Sequence, residues 1–238
     1  MIIPVVDEIV TASSTDAYPA GLAVFDVCDT LYYSNTTHDF VRYFSENLAR
    51  RDRKVLFHLL NHRLSPLRYG LIAVSVATGS DLFRKASIRL LRGVKESELA
   101  TCAARFIAEV LDMRKIERTH HMISEYRKLG LEVVLCSSSI EPVVREVATY
   151  LGVSASVSTI LETREGILTG RIIDDPTGRK LAVLRERYGN TRIAYAVSDN
   201  VSDLELLLAA DHGIAISHNT RKSRFWKDRK IELIDLGL

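Results

Sequence analysis

Leu22-Ala23-Val24-Phe25-Asp26-Val27-Cys28-Asp29-Thr30-Leu31 is the stretch on which the reading of this chain turns. Its first four residues are apolar without interruption, the pattern of a short strand buried on both faces. Asp26 follows at once. A carboxylate placed where a buried strand ends costs stability unless it is paired or put to use. Aspartate is also an ordinary turn former, so the stretch alone leaves Asp26 and Asp29 as turn residues or site residues.

The sequence around it changes rhythm twice. From about Asn35 to Arg114 the apolar residues recur at helical spacing, as in Phe40, Phe44 and Leu48, or Leu99, Cys102, Phe106 and Val110. Pro66, Gly70, Gly79 and Gly93 cut this region into several short helices. A helix from about Lys115 stops at Gly130, and strands then alternate with helices. The strands are Glu132 to Cys136, Ile193 to Val197 and Gly213 to Ile216; a hairpin turns at Glu165-Gly166. Helices are expected from near Glu141, from about Gly178 to Tyr188, and through Leu204 to Ala209. This alternation predicts an α/β fold, a doubly wound parallel sheet with an inserted all-helical cap domain. The division expected is an N-terminal arm over 1–20, a core made of 21–33 and 115–238, and a cap over 34–114.

Composition narrows the function classes. The 238 residues carry a formal net charge of +2, too small to call for nucleic acid or a membrane partner. The three cysteines, Cys28, Cys102 and Cys136, lack metal-ligand spacing, and Cys102 and Cys136 read as core. Free thiols and the absence of a basic, apolar leader in residues 1–21 predict a cytoplasmic protein. The longest apolar stretch, Leu71 to Ala77, is too short for a membrane span; it reads as a buried cap helix or as a seat for a hydrophobic leaving group. Residues 34–114 hold fourteen Lys/Arg against eight Asp/Glu. Such a lid would draw in a phosphorylated substrate, although helix surfaces are basic for solvation alone. The basic run from Arg221 to Lys230, with Phe225 and Trp226, reads as a packing terminal segment leading into a strand at Ile231 to Ile234. His120 and His121 read as helix surface. Oligomeric state leaves no mark on the sequence.

In open α/β sheets ligands bind beyond the carboxyl ends of the strands. Asp26, then Ser137-Ser138-Ser139, then Asp199, Asn200 and Asp203 each follow a strand, so all are expected at one edge. Lys180 can reach the same edge. As mere helix caps, Asp199 and Asp203 would repel each other unless a cation lay between them. Carboxylates, a hydroxyl and an ammonium make a site for an anion and a hard metal such as Mg²⁺.

Four motifs in this order resemble the haloacid dehalogenase-like superfamily, in particular its phosphoserine-phosphatase-like branch, whose helical cap follows the first motif. They are Phe25 to Leu31, Val134 to Pro142, Gly178-Arg179-Lys180, and Ser198 to Asp203; Thr169-Gly170-Arg171 after the hairpin fits too. The resemblance implies a phosphohydrolase for a small phosphate monoester, with Asp26 forming an aspartyl-phosphate. It implies Mg²⁺ held by Asp26, the main-chain carbonyl of Cys28 and Asp199. Ser137 would hydrogen-bond the phosphoryl group, Lys180 would hold Asp26 ionised, and Asp203 would orient Lys180 or a metal-bound water. Cys28 departs from the pattern, because the family carries there an aspartate that serves as acid and base. Such help is worth ~10²–10⁴-fold, and a thiol with a free pKa of about 8.5 supplies it poorly. Asp29 and His38 are the neighbours that would replace it; Cys28 itself reads as a small buried residue. The alternatives are a phosphotransferase or slow-turnover enzyme with a long-lived aspartyl-phosphate, or a non-catalytic binding protein. A dehalogenase fits less well, since the Asp199 and Asp203 pair suits a metal it does not need. Phosphoserine is not favoured, because no acidic residue between Thr30 and His38 would receive its amino group.

Overall fold

The computed structural model describes residues 21–47, 51–62, 64–78, 81–229 and 231–237. The arm expected over 1–20 lies outside them. Strand β1 (Leu22–Phe25) is fully buried. It sits at the centre of a seven-stranded sheet of order β4-β3-β2-β1-β5-β6-β7. The partners are β2 (Glu132–Ile140), β3 (Ala155–Arg164), β4 (Ile167–Asp174), β5 (Ile193–Ser198), β6 (His212–Ser217) and β7 (Glu232–Asp235). All neighbours pair in parallel except β3 and β4. From β1 the chain crosses to β2 on one side and returns to β5 on the other. That reversal leaves a crevice at the carboxyl end of β1, where a doubly wound sheet binds its ligand.

Each face of β1 enters a different core. Ala23 and Phe25 join a cluster with Leu135, Val143 and Phe106. Leu22 and Val24 join another with Leu184, Leu206 and Trp226. The period-two alternation of a strand thus explains why a polar residue first becomes tolerable at Asp26, where β1 ends. Trp226 is fully buried, and α10 (Thr220–Lys227) packs beside β7, as the aromatic pair in the basic C-terminal run predicts.

Between β1 and the next strand the described chain is helical. It forms α1 (Thr36–Asn47), α2 (Arg51–Asn61), α3 (Pro66–Thr78), α4 (Leu82–Arg89) and α5 (Glu96–Phe106). A π turn, a 3-10 turn and α6 (Glu117–Lys128) lead into β2. α7 (Glu141–Leu151), α8 (Lys180–Tyr188) and α9 (Leu204–Ala209) complete the set. α1 and α5 share the Phe25 core, through Phe40, Leu99 and Phe106. The insertion is also stitched to the hairpin. Gly93 N–H donates to Leu168 O (2.7 Å), Leu168 N–H to Val94 O (2.9 Å) and Glu96 N–H to Gly166 O (2.9 Å). Gly170, at φ +79°, lets α4 approach β4: a Cβ there would lie 3.1 Å from Arg92 Cβ and 3.3 Å from the Arg89 main chain.

Two local readings change. β2 runs on to Ile140 rather than stopping at Cys136, and its register with β3 shifts between Cys136 and Ile140. The three serines stay extended while regular pairing lapses. His120 is not plain helix surface: its Nε2 lies 3.0 Å from Leu31 O and its ring meets Tyr32 edge-on.

Candidate active site

Asp26 is held before any ligand arrives. Its N–H donates to Val197 O (2.9 Å), which continues the β1–β5 pairing one residue past the strand. Its Oδ1 accepts from Val27 N–H (2.6 Å) and its Oδ2 lies 2.9 Å from Lys180 Nζ. Lys180 starts α8 and is buried with Asp26 and Asp203. Its ammonium donates to Asp203 Oδ2 at 2.6 Å, and Ser198 Oγ donates to the same oxygen at 2.6 Å. Burial works against the Lys180 charge, but the carboxylates of Asp26 and Asp203 more than offset it and push the pKa above its ordinary value. Burial pushes the Asp203 carboxyl up, against the pull of Lys180.

Asp199 closes the other side. Thr30 Oγ1 accepts from Asp199 N–H (3.0 Å), and the C-terminal Lys222 donates Nζ to Asp199 Oδ2 at 2.6 Å. Burial first, and the Asp26 charge second, push the Asp199 carboxyl up to about 6 despite Lys222. A cleft of about 270 Å³ opens on Asp26, Cys28, Asp29, Ser138, Asp199 and Lys222. Among the described residues no three side chains from His, Cys, Asp and Glu gather as a metal cluster. Mg²⁺ does not require one, since it binds through one or two carboxylates and keeps several waters. Asp26 and Asp199 both line the cleft and offer hard carboxylate oxygens, which fit such an ion.

The hydroxyls divide their tasks. Ser137 is fully buried, and its Oγ accepts from Ser139 N–H (3.2 Å), which leaves its own O–H free to donate. Ser138, passed over in the sequence, is the one that walls the cleft, and its Oγ has no hydrogen-bond partner. Thr36 Oγ1 donates to Ser139 Oγ (2.8 Å). Its single hydrogen is thus spent, so the Cys28 thiol, 2.8 Å away, donates to Thr36. Burial, then the Asp26 charge, push this thiol up to about 11. Cys28 stays neutral and ties the loop to the first turn of α1.

The two expected substitutes for the missing acid part company. Asp29, at φ +46°, lines the cleft itself, and burial, ahead of the opposing His218 and Lys222 charges, raises its carboxyl. His38 does not line it. Its ring lies 5.8 Å from Phe83 in a neighbouring cavity of about 460 Å³. Helical geometry explains this: His38 stands in the first turn of α1 beside Thr37, which faces the cleft, so the two side chains diverge.

Residues from the insertion complete the wall. Arg84 donates Nη2 to Ser138 O (2.6 Å) and to Thr159 Oγ1 (2.6 Å), and Nη1 to Asp175 Oδ2 (2.7 Å). Its Nε is buried without a partner. Asp81, the N-cap of α4, also lines the cleft. Nothing in the local sequence separates Arg84 or Lys222 from solvated helix residues; only tertiary position does.

A buried lysine thus lies between two aspartates at the switch point of the sheet, with Asp199 on the wall of the same cleft. Residues 23–208 match the haloacid dehalogenase-like hydrolase family, and the chain belongs to it. Within that family it is phosphoserine-phosphatase-like. It is 23% identical to phosphoserine phosphatase SerB1 of Mycobacterium tuberculosis over 96% of this chain and 76% of that one. A Bordetella pertussis protein of unknown function shares the fold at a TM-score of 0.70 and 20% identity, over 90% of this chain and 98% of that one. A phosphoserine phosphatase carrying a phospho-aspartyl intermediate analogue matches at a TM-score of 0.54 and 16% identity, over 90% and 91%.

Proposed function

We propose that the protein hydrolyses phosphate monoesters through a phosphoryl group carried on Asp26. The observation that carries this is the Asp26–Lys180–Asp203 array, with Lys180 Nζ 2.9 Å and 2.6 Å from the two carboxylates. Lys180 Nζ, 2.9 Å from Oδ2, fixes the Asp26 carboxylate in place at the edge of the cleft. Asp26 attacks phosphorus as the ester oxygen leaves, which gives an acyl-phosphate and an alcohol. The Ser137 hydroxyl, with Ser138 beside it, donates to a phosphoryl oxygen, and Lys180 supplies positive charge to the same group. Asp203 positions Lys180.

Asp26, the carbonyl of Cys28 and Asp199 would hold Mg²⁺. When bound, the ion neutralises phosphoryl charge and shields Asp26 from the incoming dianion. Cys28 contributes no proton at neutral pH. Asp29 is the carboxyl group in the cleft placed to protonate the leaving alcohol and to activate water in the second half-reaction. Cys28, Cys102 and Cys136 are all unpaired, which supports the cytoplasmic setting. No described helix is long and apolar enough to cross a membrane.

The test is hydrolysis of a generic aryl phosphate, whose good leaving group needs little acid help. Wild type turns it over with Mg²⁺ and not with chelator. Asp26→Asn lowers kcat on the order of 10³-fold or more. Equal rates for wild type and variant would overturn the proposal.

A further inference from the structure

One helical hairpin of the insertion turns apolar side chains outward. The run Leu71 to Ala77, which reads as a buried cap helix or as a seat for a hydrophobic leaving group, turns two aliphatic side chains outward: Ile72 is 40% and Val74 46% exposed. Around them Val55 is 61%, Leu59 56% and Leu64 81% exposed, with Leu56, Leu67 and Tyr69 also outward. These eight are half of the sixteen exposed large hydrophobic residues among those described, yet they fall between positions 55 and 74. Phe57 and Leu60 point inward and join the core, so α2 has a buried side and an apolar outer side. Soluble monomers rarely leave such a patch bare.

The charge of the segment selects the partner. From Arg50 to Thr78 there are six Lys/Arg and a single acid, Asp52, with His58 and His62 besides. A second copy would bring two such basic segments together. An anionic phospholipid surface complements both features: aliphatic side chains enter the headgroup boundary while Lys and Arg stay at phosphate level. α3 has 13 residues, about 20 Å, short of the ~30 Å hydrocarbon layer. A helix of that length fits along a bilayer surface and not across it. The same hairpin walls the 460 Å³ cavity, through Phe57, His58, His62 and Arg68, and Asn35 lines both that cavity and the Asp26 cleft.

We propose that the α2–α3 hairpin docks on an anionic phospholipid surface, and that the ester reaching Asp26 is an amphiphilic phosphate monoester borne by that surface. The second half rests on the phosphatase reading; the first does not.

The experiment uses the full chain, vesicles of phosphatidylcholine with or without phosphatidylglycerol, and the double variant Leu56→Glu, Leu67→Glu. Wild type sediments with the anionic vesicles, less so at high salt, and the variant binds about tenfold more weakly or worse. Both hydrolyse the soluble aryl phosphate equally. With phosphatidic acid in the vesicles, wild type releases phosphate about tenfold faster than the variant. Wild type left in the supernatant, or bound equally to neutral vesicles, overturns docking, as does a dimer dispersed by the double variant without vesicle binding. Vesicle binding with aryl but no phosphatidic acid turnover overturns the substrate half alone. Vesicle binding without aryl phosphate turnover by wild type instead overturns the phosphatase reading. If the double variant fails to fold, the salt dependence of wild-type binding decides.

Discussion

Lys180 links the stability of the fold to the proposed chemistry. Its ammonium is buried, and so are the two carboxylates it touches. Removing one member of such a group strands the others' charge, at a cost of about 3–5 kcal/mol. Lys180→Ala is therefore expected to lower the denaturation midpoint sharply as well as to abolish turnover; chemical denaturation of the variant beside Asp26→Asn checks it. Cys28 is the opposite case, a residue whose thiol ties the loop to the first turn of α1. Cys28→Asp is expected to raise hydrolysis of an unactivated alkyl phosphate by roughly 10²-fold and an aryl phosphate much less. Asp29→Asn lowers the alkyl phosphate rate in wild type. Parallel steady-state rates on the two esters read both out; an unchanged alkyl rate in both variants would remove Asp29 and position 28 from the proton step. Asp26 and Asp199 stand out in the sequence because each puts a charge where an apolar strand ends, Asp203 because it pairs with Asp199, and Lys180 only through its place relative to the other motifs. Lys222 and Arg84 carry no such mark. A lysine or arginine on an amphipathic helix reads the same whether it meets water or a carboxylate from another element.

At the scale of elements, the insertion meets the hairpin through Arg84 and Gly170. Burial pushes the Asp175 carboxyl up, but hydrogen bonds from Arg84 and Thr177 more than offset that and hold it below its ordinary value of 3.8. A carboxyl depressed in the folded state contributes stability above its unfolded pKa and loses it as pH falls. Amide protection in α4, taken relative to the intrinsic exchange rate at each pH, is thus expected to fall below about pH 4 in wild type, and to be low and insensitive to pH over that range in Arg84→Ala. Exchange that is slow in the variant would show the clasp to be idle. A second element-level test lies under α9. A Cβ at Gly213 would sit 2.2 Å from Leu207 O, so Gly213→Ala must displace main chain. It is expected to cost about 2–3 kcal/mol in a urea titration. The sequence showed Gly213 inside a strand pattern; that α9 crosses it closely depends on the third dimension.

For the whole molecule, the parallel sheet was legible because fully buried strands are written as unbroken apolar runs. The order of strands was not, since Leu22 to Phe25 pairs equally well with any such run. Nor was the outward face of α2 and α3: alternation cannot tell an apolar side chain packed on protein from one facing a lipid surface. The hydrophobic core that α1 and α5 share with β1 ties the insertion to the sheet. The cleft and the insertion are expected to unfold together, as a single transition followed by both circular dichroism and Trp226 fluorescence.

The central claim is covalent, and it can be read on one side chain. After acid quench during steady-state turnover of an aryl phosphate with Mg²⁺, peptide mass spectrometry is predicted to find a phosphoryl adduct on Asp26, more abundant in wild type than in Cys28→Asp and absent from Asp26→Asn. Turnover with no adduct on Asp26, or with the adduct on another residue, would contradict it.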